Sequence, residues 1–131
     1  MGTIRKILVT GASGFVGCRT VEVLENNDFE VLAPSHKEFD ITSADAAEKY
    51  IKESKPDAIL HLAAISNTGY CEEHPEESYL VNVVGVENLA RISAKHEIKM
   101  VFFSVIRRRS SDTTWQRSTI LLLTAGLRRS R

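Results

Sequence analysis

The apolar run Ile7-Leu8-Val9 leads directly into Thr10-Gly11-Ala12-Ser13-Gly14-Phe15-Val16-Gly17, and this junction constrains the chain more than any other segment. A strand that enters a glycine-punctuated turn and then a helix gathers backbone N–H groups at the positive end of a helix dipole, where a pyrophosphate can sit. Gly11 would permit the tight turn and Gly14 would let N–H groups approach phosphate with no Cβ in the way. Gly17 would let the helix pack close to the sheet. Three spaced glycines also occur in ordinary surface turns, but here an apolar strand precedes them and an amphipathic stretch comes after.

The remaining periodicity extends the same pattern. Arg5 to Thr10 reads as a buried strand and Phe15 to Asn26 as a helix, with Val16, Thr20, Val23 and Leu24 on one side and Glu22 and Glu25 on another. Phe29 to Ala33 is a short second strand stopped by Pro34. Thr42 to Ser54 is polar and helical, with Thr42 or Ser43 as its cap and Asp45 in its first turn. Asp57 to Ala63 is a third strand, apolar nearly throughout, as a parallel strand covered on both faces should be. Pro75 to His96 predicts one long helix with a buried stripe of Tyr79, Asn82, Val83, Val86, Leu89, Ala90 and Ser93. Lys99 to Ser104 predicts a fourth strand. Strands alternating with helices imply right-handed crossovers and an α/β, doubly wound parallel sheet, here truncated after the fourth strand, with expected order 3-2-1-4. A bound nucleotide would cross the carboxyl edge, beside the loops after Val9, Ala33, Leu62 and Phe103.

The 131 residues suffice for one domain with a core, and the 43% apolar content fits a folded α/β chain. Cys18 and Cys71 have neither disulfide-scaffold nor metal-knuckle spacing, and Met1-Gly2-Thr3 runs straight into a strand, so a reducing cytoplasm is expected. No apolar run is long enough to span a bilayer. Zero net charge conceals a division: residues 1–104 hold 10 Lys and Arg against 16 Asp and Glu, whereas residues 105–131 hold 7 Arg and the single acid Asp112. The expected organisation is therefore a partial nucleotide-binding domain over 1–104 and an Arg-rich, unstructured tail over 105–131.

Thr10–Gly17, Phe39-Asp40-Ile41-Thr42, His61-Leu62-Ala63-Ala64, Glu72-Glu73-His74-Pro75-Glu76, Asn82 and Phe102-Phe103-Ser104 occur in an order that resembles the extended short-chain dehydrogenase/reductases. The likeness is closest to the dTDP-4-dehydrorhamnose reductase-like branch, which also contains the regulatory beta subunit of methionine adenosyltransferase. It covers residues 4–104, the first four strands of a longer family fold.

The resemblance implies that Gly11, Ser13, Gly14, Phe15, Val16 and Gly17 wrap the pyrophosphate of a nicotinamide dinucleotide. It implies that Asp40 and Ile41 contact adenine, a carboxylate accepting from the exocyclic amine and a backbone N–H reaching a ring nitrogen. The competing role for Asp40 is a helix cap before Thr42. Leu62, Ala63 and Ala64 correspond to the segment near the ribose and nicotinamide, although a plain buried strand end would also use Ala. Asn82 corresponds to a brace on the active-site backbone, and a buried structural amide describes it equally well.

An acid after the second strand holds the ribose 2′-hydroxyl of NAD, and a basic group accepts the 2′-phosphate of NADP. This chain offers Ser35, His36 and Lys37 there, with Arg19 near the glycine turn as a second cation, which favours NADP over NAD. Lys37 and Arg19 also read as solvated surface charges. His61 and His74 lack companions at metal-ligand spacing and read as a strand residue and a loop residue, so no metal is expected.

The family's hydride transfer to a sugar-ring carbonyl uses a Tyr proton donor with a Lys four residues later. No Tyr-x-x-x-Lys occurs here, and none of Tyr50, Tyr70 and Tyr79 has a Lys at that spacing. No catalytic residue is assignable; Ser104 borders the place where the family's catalytic loop would begin. The chain instead continues Val105-Ile106-Arg107-Arg108-Arg109. In a frame displaced by one base after the Ser104 codon, Val105 to Arg107 permit Ser-Asp-Gln, and Leu122 to Arg128 permit Pro-x-Tyr-Gly-Arg-x-Lys. The tail is accordingly read as a frameshifted or misspliced segment.

The resemblance implies two alternative functions. One is the cofactor-binding part of a sugar-nucleotide reductase, inactive as this chain and meeting its sugar-nucleotide substrate only in a full-length form. The other is a non-catalytic nucleotide-binding regulatory module like the beta subunit. Nucleic-acid binding is not expected, because Trp115 is the only stacking aromatic in the basic tail. Self-association through an uncovered edge of the fourth strand is expected.

Overall fold

The computed structural model describes residues 3–65, 68–106 and 119–125. Its elements are β1 (Lys6–Thr10), α1 (Phe15–Asn26), β2 (Glu30–Leu32), α2 (Ala44–Ser54), β3 (Ala58–His61), α3 (Thr68–Glu73), α4 (Pro75–Tyr79), a π-helical turn (Leu80–Val84), α5 (Gly85–Lys95), β4 (Lys99–Ile106) and β5 (Thr119–Ala125). The first four strands form a parallel sheet with helices on its faces, the doubly wound architecture expected.

The strand order is β2-β1-β3-β4-β5, which corrects the expected 3-2-1-4. β3 lies on the far side of β1 from β2, with Ile7 opposite Ala58 and Thr10 opposite His61. Burial explains the choice. Ala58, Ile59 and His61 are buried, so β3 needs neighbours on both edges, whereas β2 is short, half-exposed and suited to the rim. The chain therefore reverses direction at β1. With right-handed crossovers, that reversal puts α1 on one face of the sheet and α2 and α5 on the other. The second face holds the main core, in which Leu8, Ile59 and Met100 from three strands meet Phe39, Ile41, Ala47, Ile51, Leu89 and Ile92. At the opposite end of β1, Asp57 Oδ2 accepts from the N–H groups of Arg5 and Lys6 at 2.9 Å each, closing the entry to the sheet.

α1 has the predicted limits, but its inward face is Gly17, Thr20, Val21 and Leu24, while Val16 and Val23 stand about half exposed. Ser43 caps α2, its hydroxyl accepting from Ala46 N–H. The single helix expected over 75–96 is instead α4, the π-helical turn and α5. A π turn closes i→i+5 and shifts the phase of the helix beyond it, so the buried positions are Ser78, Gly85, Leu89, Ile92 and Ser93, and Tyr79 is 60% exposed.

The parallel part of the sheet ends with β4, but β4 is not an uncovered edge. β5 pairs antiparallel with it from Met100 opposite Ala125 to Ile106 opposite Thr119. The Thr-Ile-Leu-Leu-Leu-Thr run thus forms a strand inside a tail expected to lack one, because a continuous apolar, β-compatible segment can complete the ladder that β4 offers. Arg107 to Arg109, Trp115 and the remainder of 107–118 and 126–131 lie outside the described residues. Among the described residues, no helix is long and apolar enough to cross a membrane.

Candidate functional site

The reversal at β1 opens the carboxyl edge of the sheet between Thr10 and His61, and the loops gathered there contain most of the residues singled out from sequence. Gly11 adopts φ +69°, the left-handed region that a Cβ disfavours. A Cβ at Gly11 would also lie 2.8 Å from Ala63 N and 2.9 Å from the Leu62 carbonyl carbon, so the turn rests directly on the backbone after β3. Gly14 N–H donates to the Gly11 carbonyl at 3.1 Å and closes the turn.

Gly14 is the N-cap of α1. It provides no side-chain acceptor, and no acid stands in the first turn. The first N–H groups of α1 therefore have no side-chain cap and no acid beside them. Gly14 has an ordinary φ of −73°, and the close neighbour for a Cβ there is the Gly11 carbonyl oxygen at 3.3 Å, so its backbone shape does not require glycine. Gly17 is different. Its Cβ would fall 1.9 Å from the Gly11 carbonyl oxygen, so the close packing expected against the sheet is made instead against the turn itself. Phe15 is 98% exposed beside this turn, and Ser13 and Val16 are exposed with it.

Thr10 ties the two central strands together. Its hydroxyl oxygen accepts from the N–H groups of Leu62 (3.0 Å) and Ala63 (3.1 Å) and lies 2.6 Å from Nδ1 of His61. His61 is fully buried, its ring stacks on Phe102, and burial holds its pKa down to about 4. The sequence places His61 on the strand but does not show this bond; its mark there is a polar ring in an otherwise apolar strand, opposite a Thr at the end of its neighbour.

Beyond Ala63 and the exposed Ala64, Asn82 fixes the same loop. Its Oδ1 accepts from Ile65 N–H at 2.8 Å and its Nδ2 donates to the Ile65 carbonyl at 3.0 Å. Asn82 sits in the π-helical turn, so the irregularity coincides with the residue that braces the loop.

On the β2 side, Asp40 is exposed and its Oδ1 accepts from Thr42 N–H (3.0 Å) and the Thr42 hydroxyl (2.6 Å). This is a local Asx turn leading to the helix, and the cap itself is Ser43. Ile41 is buried, and α5 holds it in a way the sequence did not reveal. Asn88 Nδ2 donates to the Ile41 carbonyl at 2.9 Å, and Gly85 leaves room for the Ile41 side chain. His36 and Lys37 stand exposed on the preceding turn, where Glu38 Oε2 accepts from Ser35 N–H at 3.1 Å. The Glu38 carboxylate therefore stands on the same turn as Lys37. Arg19 pairs with Glu22 at 2.8 Å.

Proton-donor chemistry is not assembled among these groups. Tyr70 donates to Glu77 Oε2 at 2.6 Å, which raises its pKa, and burial raises that of Tyr50. Both shifts oppose the lowering that an acid catalyst near neutral pH requires. Ser104 lies within β4, opposite Leu121. His74 packs on the Tyr70 ring, with centroids 4.4 Å apart. Among the described residues, no three His, Cys, Asp or Glu side chains form a group that could hold a metal ion. A cavity of about 160 Å³ between α2 and α5, lined by Glu48, Asn88, Arg91 and Lys95 among others, lies on the outer helical face.

The family model for the RmlD substrate binding domain matches residues 5–107. A GDP-6-deoxy-D-talose 4-dehydrogenase from Aggregatibacter actinomycetemcomitans is 42% identical over 88 residues, covering 66% of this chain and 29% of that protein. The methionine adenosyltransferase 2 subunit beta of Xenopus tropicalis is 33% identical over 97 residues, covering 69% of this chain and 29% of that protein. Among solved structures, the dTDP-4-dehydrorhamnose reductase of Bacillus anthracis in complex with NADP superimposes with a TM-score of 0.69 at 25% identity, covering 76% of this chain and 36% of that one. The chain spans about a third of the length of the curated relatives it matches.

Proposed function

Because this chain belongs to the RmlD substrate binding domain family, we propose that residues 1–104 are the dinucleotide-binding part of an oxidoreductase acting on a nucleotide-activated sugar. The observation that carries the reading is the cradle at the sheet reversal. Gly11 takes a positive φ against the Leu62–Ala63 backbone, and Gly17 leaves no space for a Cβ. The first turn of α1 has neither a side-chain cap nor an acid to compete with a phosphate. These residues fit a pyrophosphate, and a bound nicotinamide would supply hydride transfer to or from a sugar carbon.

Within this reading, Gly11, Ser13, Gly14, Phe15, Val16 and Gly17 wrap the pyrophosphate. The Asp40 carboxylate and the Ile41 N–H face adenine, while Leu62, Ala63 and Ala64 line the ribose and nicotinamide side, with Asn82 holding their loop. His36 and Lys37 meet a 2′-phosphate, which favours NADP over NAD, and NADP is the ligand of the Bacillus anthracis reductase structure. The 131 residues contain no Tyr-x-x-x-Lys, so within this reading the polypeptide binds cofactor without turning over a sugar nucleotide.

A second reading, a nucleotide-binding regulatory module comparable to the methionine adenosyltransferase beta subunit, is supported by the 33% identity to that subunit over 69% of this chain. The gene sequence around codon 104 separates the two, since a Tyr-x-x-x-Lys in the displaced frame supports the reductase and its absence from every frame supports the module.

Calorimetry of the 131-residue chain with NADPH tests the binding reading. Binding by the unmodified chain and none by Gly14→Val is the expected result. Equal affinity in the two proteins overturns it.

A further inference from the structure

The bonds around Thr10 can be assigned by counting protons. A threonine hydroxyl has one hydrogen to donate and two lone pairs with which to accept. Both lone pairs are engaged, because the N–H groups of Leu62 and Ala63 point at the oxygen from 3.0 and 3.1 Å. The one remaining contact, His61 Nδ1 at 2.6 Å, must therefore receive the hydroxyl hydrogen. The opposite assignment, Nδ1–H donating to Thr10, would aim three donors at two lone pairs. It would also leave the hydroxyl hydrogen of a buried residue without an acceptor, at a cost an interior seldom tolerates.

We infer that His61 is a positioning residue for the nucleotide cradle: held as the Nε2-protonated neutral tautomer, its Nδ1 draws the Thr10 hydroxyl hydrogen and so turns both oxygen lone pairs toward Leu62 and Ala63. The consequence passes along the backbone to the site. Leu62 and Ala63 carry the atoms on which the Gly11 turn rests, so the direction of one hydroxyl fixes the seat of the glycine loop. Phe102, stacked on the imidazole with centroids 5.4 Å apart, fixes the ring plane that aims Nδ1. Burial keeps the ring neutral at neutral pH, as an acceptor at Nδ1 requires. Nε2–H finds no partner among the described residues, which is the cost of placing the ring where only Nδ1 is used.

The effect on affinity rests on the cofactor-binding reading above, but the tautomer does not, and the experiment has an arm for each. Long-range nitrogen–carbon NMR of the imidazoles in the ligand-free 131-residue chain at neutral pH is expected to show His61 with an unprotonated Nδ1 and a protonated Nε2. The reverse tautomer, or an even mixture, overturns the inference whether or not NADPH binds. Calorimetry with NADPH then compares His61→Leu, which has no acceptor, with His61→Asn, whose side-chain oxygen can take the place of Nδ1. The leucine variant is expected to bind about tenfold more weakly, and the asparagine variant to recover most of that loss. Equal weakening in both variants, or none in the leucine variant, overturns the positioning role. If the unmodified chain binds no NADPH, the functional reading fails, and the tautomer measurement alone decides the hydrogen-bond assignment.

Discussion

Asn82 holds both polar groups of the Ile65 backbone, accepting from its N–H at 2.8 Å and donating to its carbonyl at 3.0 Å. An amide does this because it carries one acceptor and one donor side by side, as a peptide unit does. Asn82→Ala leaves both Ile65 groups without that partner and is expected to cost about 1–3 kcal/mol. Asn82→Asp keeps the shape but replaces the donor with an oxygen facing a carbonyl oxygen, so its loss should be the larger. Urea unfolding of the three proteins decides; an aspartate variant as stable as the parent means that the two-point grip does not hold this loop.

The two glycines that bracket the first turn of α1 should fail differently. Gly17→Ala drives a Cβ into the Gly11 carbonyl at 1.9 Å, and backbone on both sides leaves nothing free to move. Gly14→Ala meets one oxygen at 3.3 Å and needs a shift of a few tenths of an ångström. Thermal unfolding monitored by circular dichroism should therefore show Gly17→Ala unfolded or severely destabilised and Gly14→Ala close to the parent. Comparable melting of the two variants would contradict the packing described for Gly17.

The contrast also marks what was legible in the sequence. β1, α1, β3 and β4 could be read because each is an apolar run or an amphipathic period with punctuation at its ends, and local chemistry decides such elements. The strand order was not legible. Whether β3 joins the outer edge of β2 or the far edge of β1 depends on which strand needs burial on both sides, a property of the assembled sheet. The π-helical turn was missed because residues 75–96 keep a helical composition throughout, and nothing in a periodic stripe announces one wider turn. Thr10 and His61 lie 51 residues apart, so their bond exists only once β1 and β3 are neighbours. Asn88 likewise resembles any polar residue on a helix until α5 lies beside Ile41.

The Ile41 contact supplies its own test. Asn88→Leu removes the donor to the Ile41 carbonyl while retaining volume, and about 1 kcal/mol of stability should go with it. If Ile41 contacts adenine as proposed, the variant should weaken 2′,5′-ADP more than nicotinamide mononucleotide. Equal effects on the two half-ligands would place Ile41 away from the adenine.

Acid should destabilise the chain in two windows. Burial places the folded pKa of His61 at about 4, below the ordinary 6.5, so between these values the unfolded chain holds a proton that the native chain does not. Stability therefore falls as pH drops from 6.5 toward 4, by up to roughly 3 kcal/mol. Glu48 acts lower. Hydrogen bonding to Lys95, and then to His96, lowers its pKa from 4.5 to about 2, so its contribution is complete above 4.5 and is lost as pH falls toward 2. Urea unfolding across both windows should show His61→Asn with a flatter upper slope and Glu48→Gln with a flatter lower one. An unchanged upper slope in His61→Asn would remove His61 as its cause.

Cofactor choice should turn on the exposed cation at Lys37. A 2′-phosphate gains a charge-assisted partner there that a 2′-hydroxyl does not need, whereas Glu38, anchored to Ser35 N–H on the same turn, repels the phosphate. The two side chains therefore pull the preference in opposite directions. Lys37→Asp should weaken NADPH more than NADH, and Glu38→Gln should strengthen NADPH while leaving NADH nearly unchanged. Because both residues are exposed, solvent screening limits each effect to about tenfold or less. Titration of both dinucleotides into the three proteins measures the ratio directly. A parent chain that already prefers NADH, with Lys37→Asp leaving the ratio unmoved, would assign the acid rather than the base to the ribose.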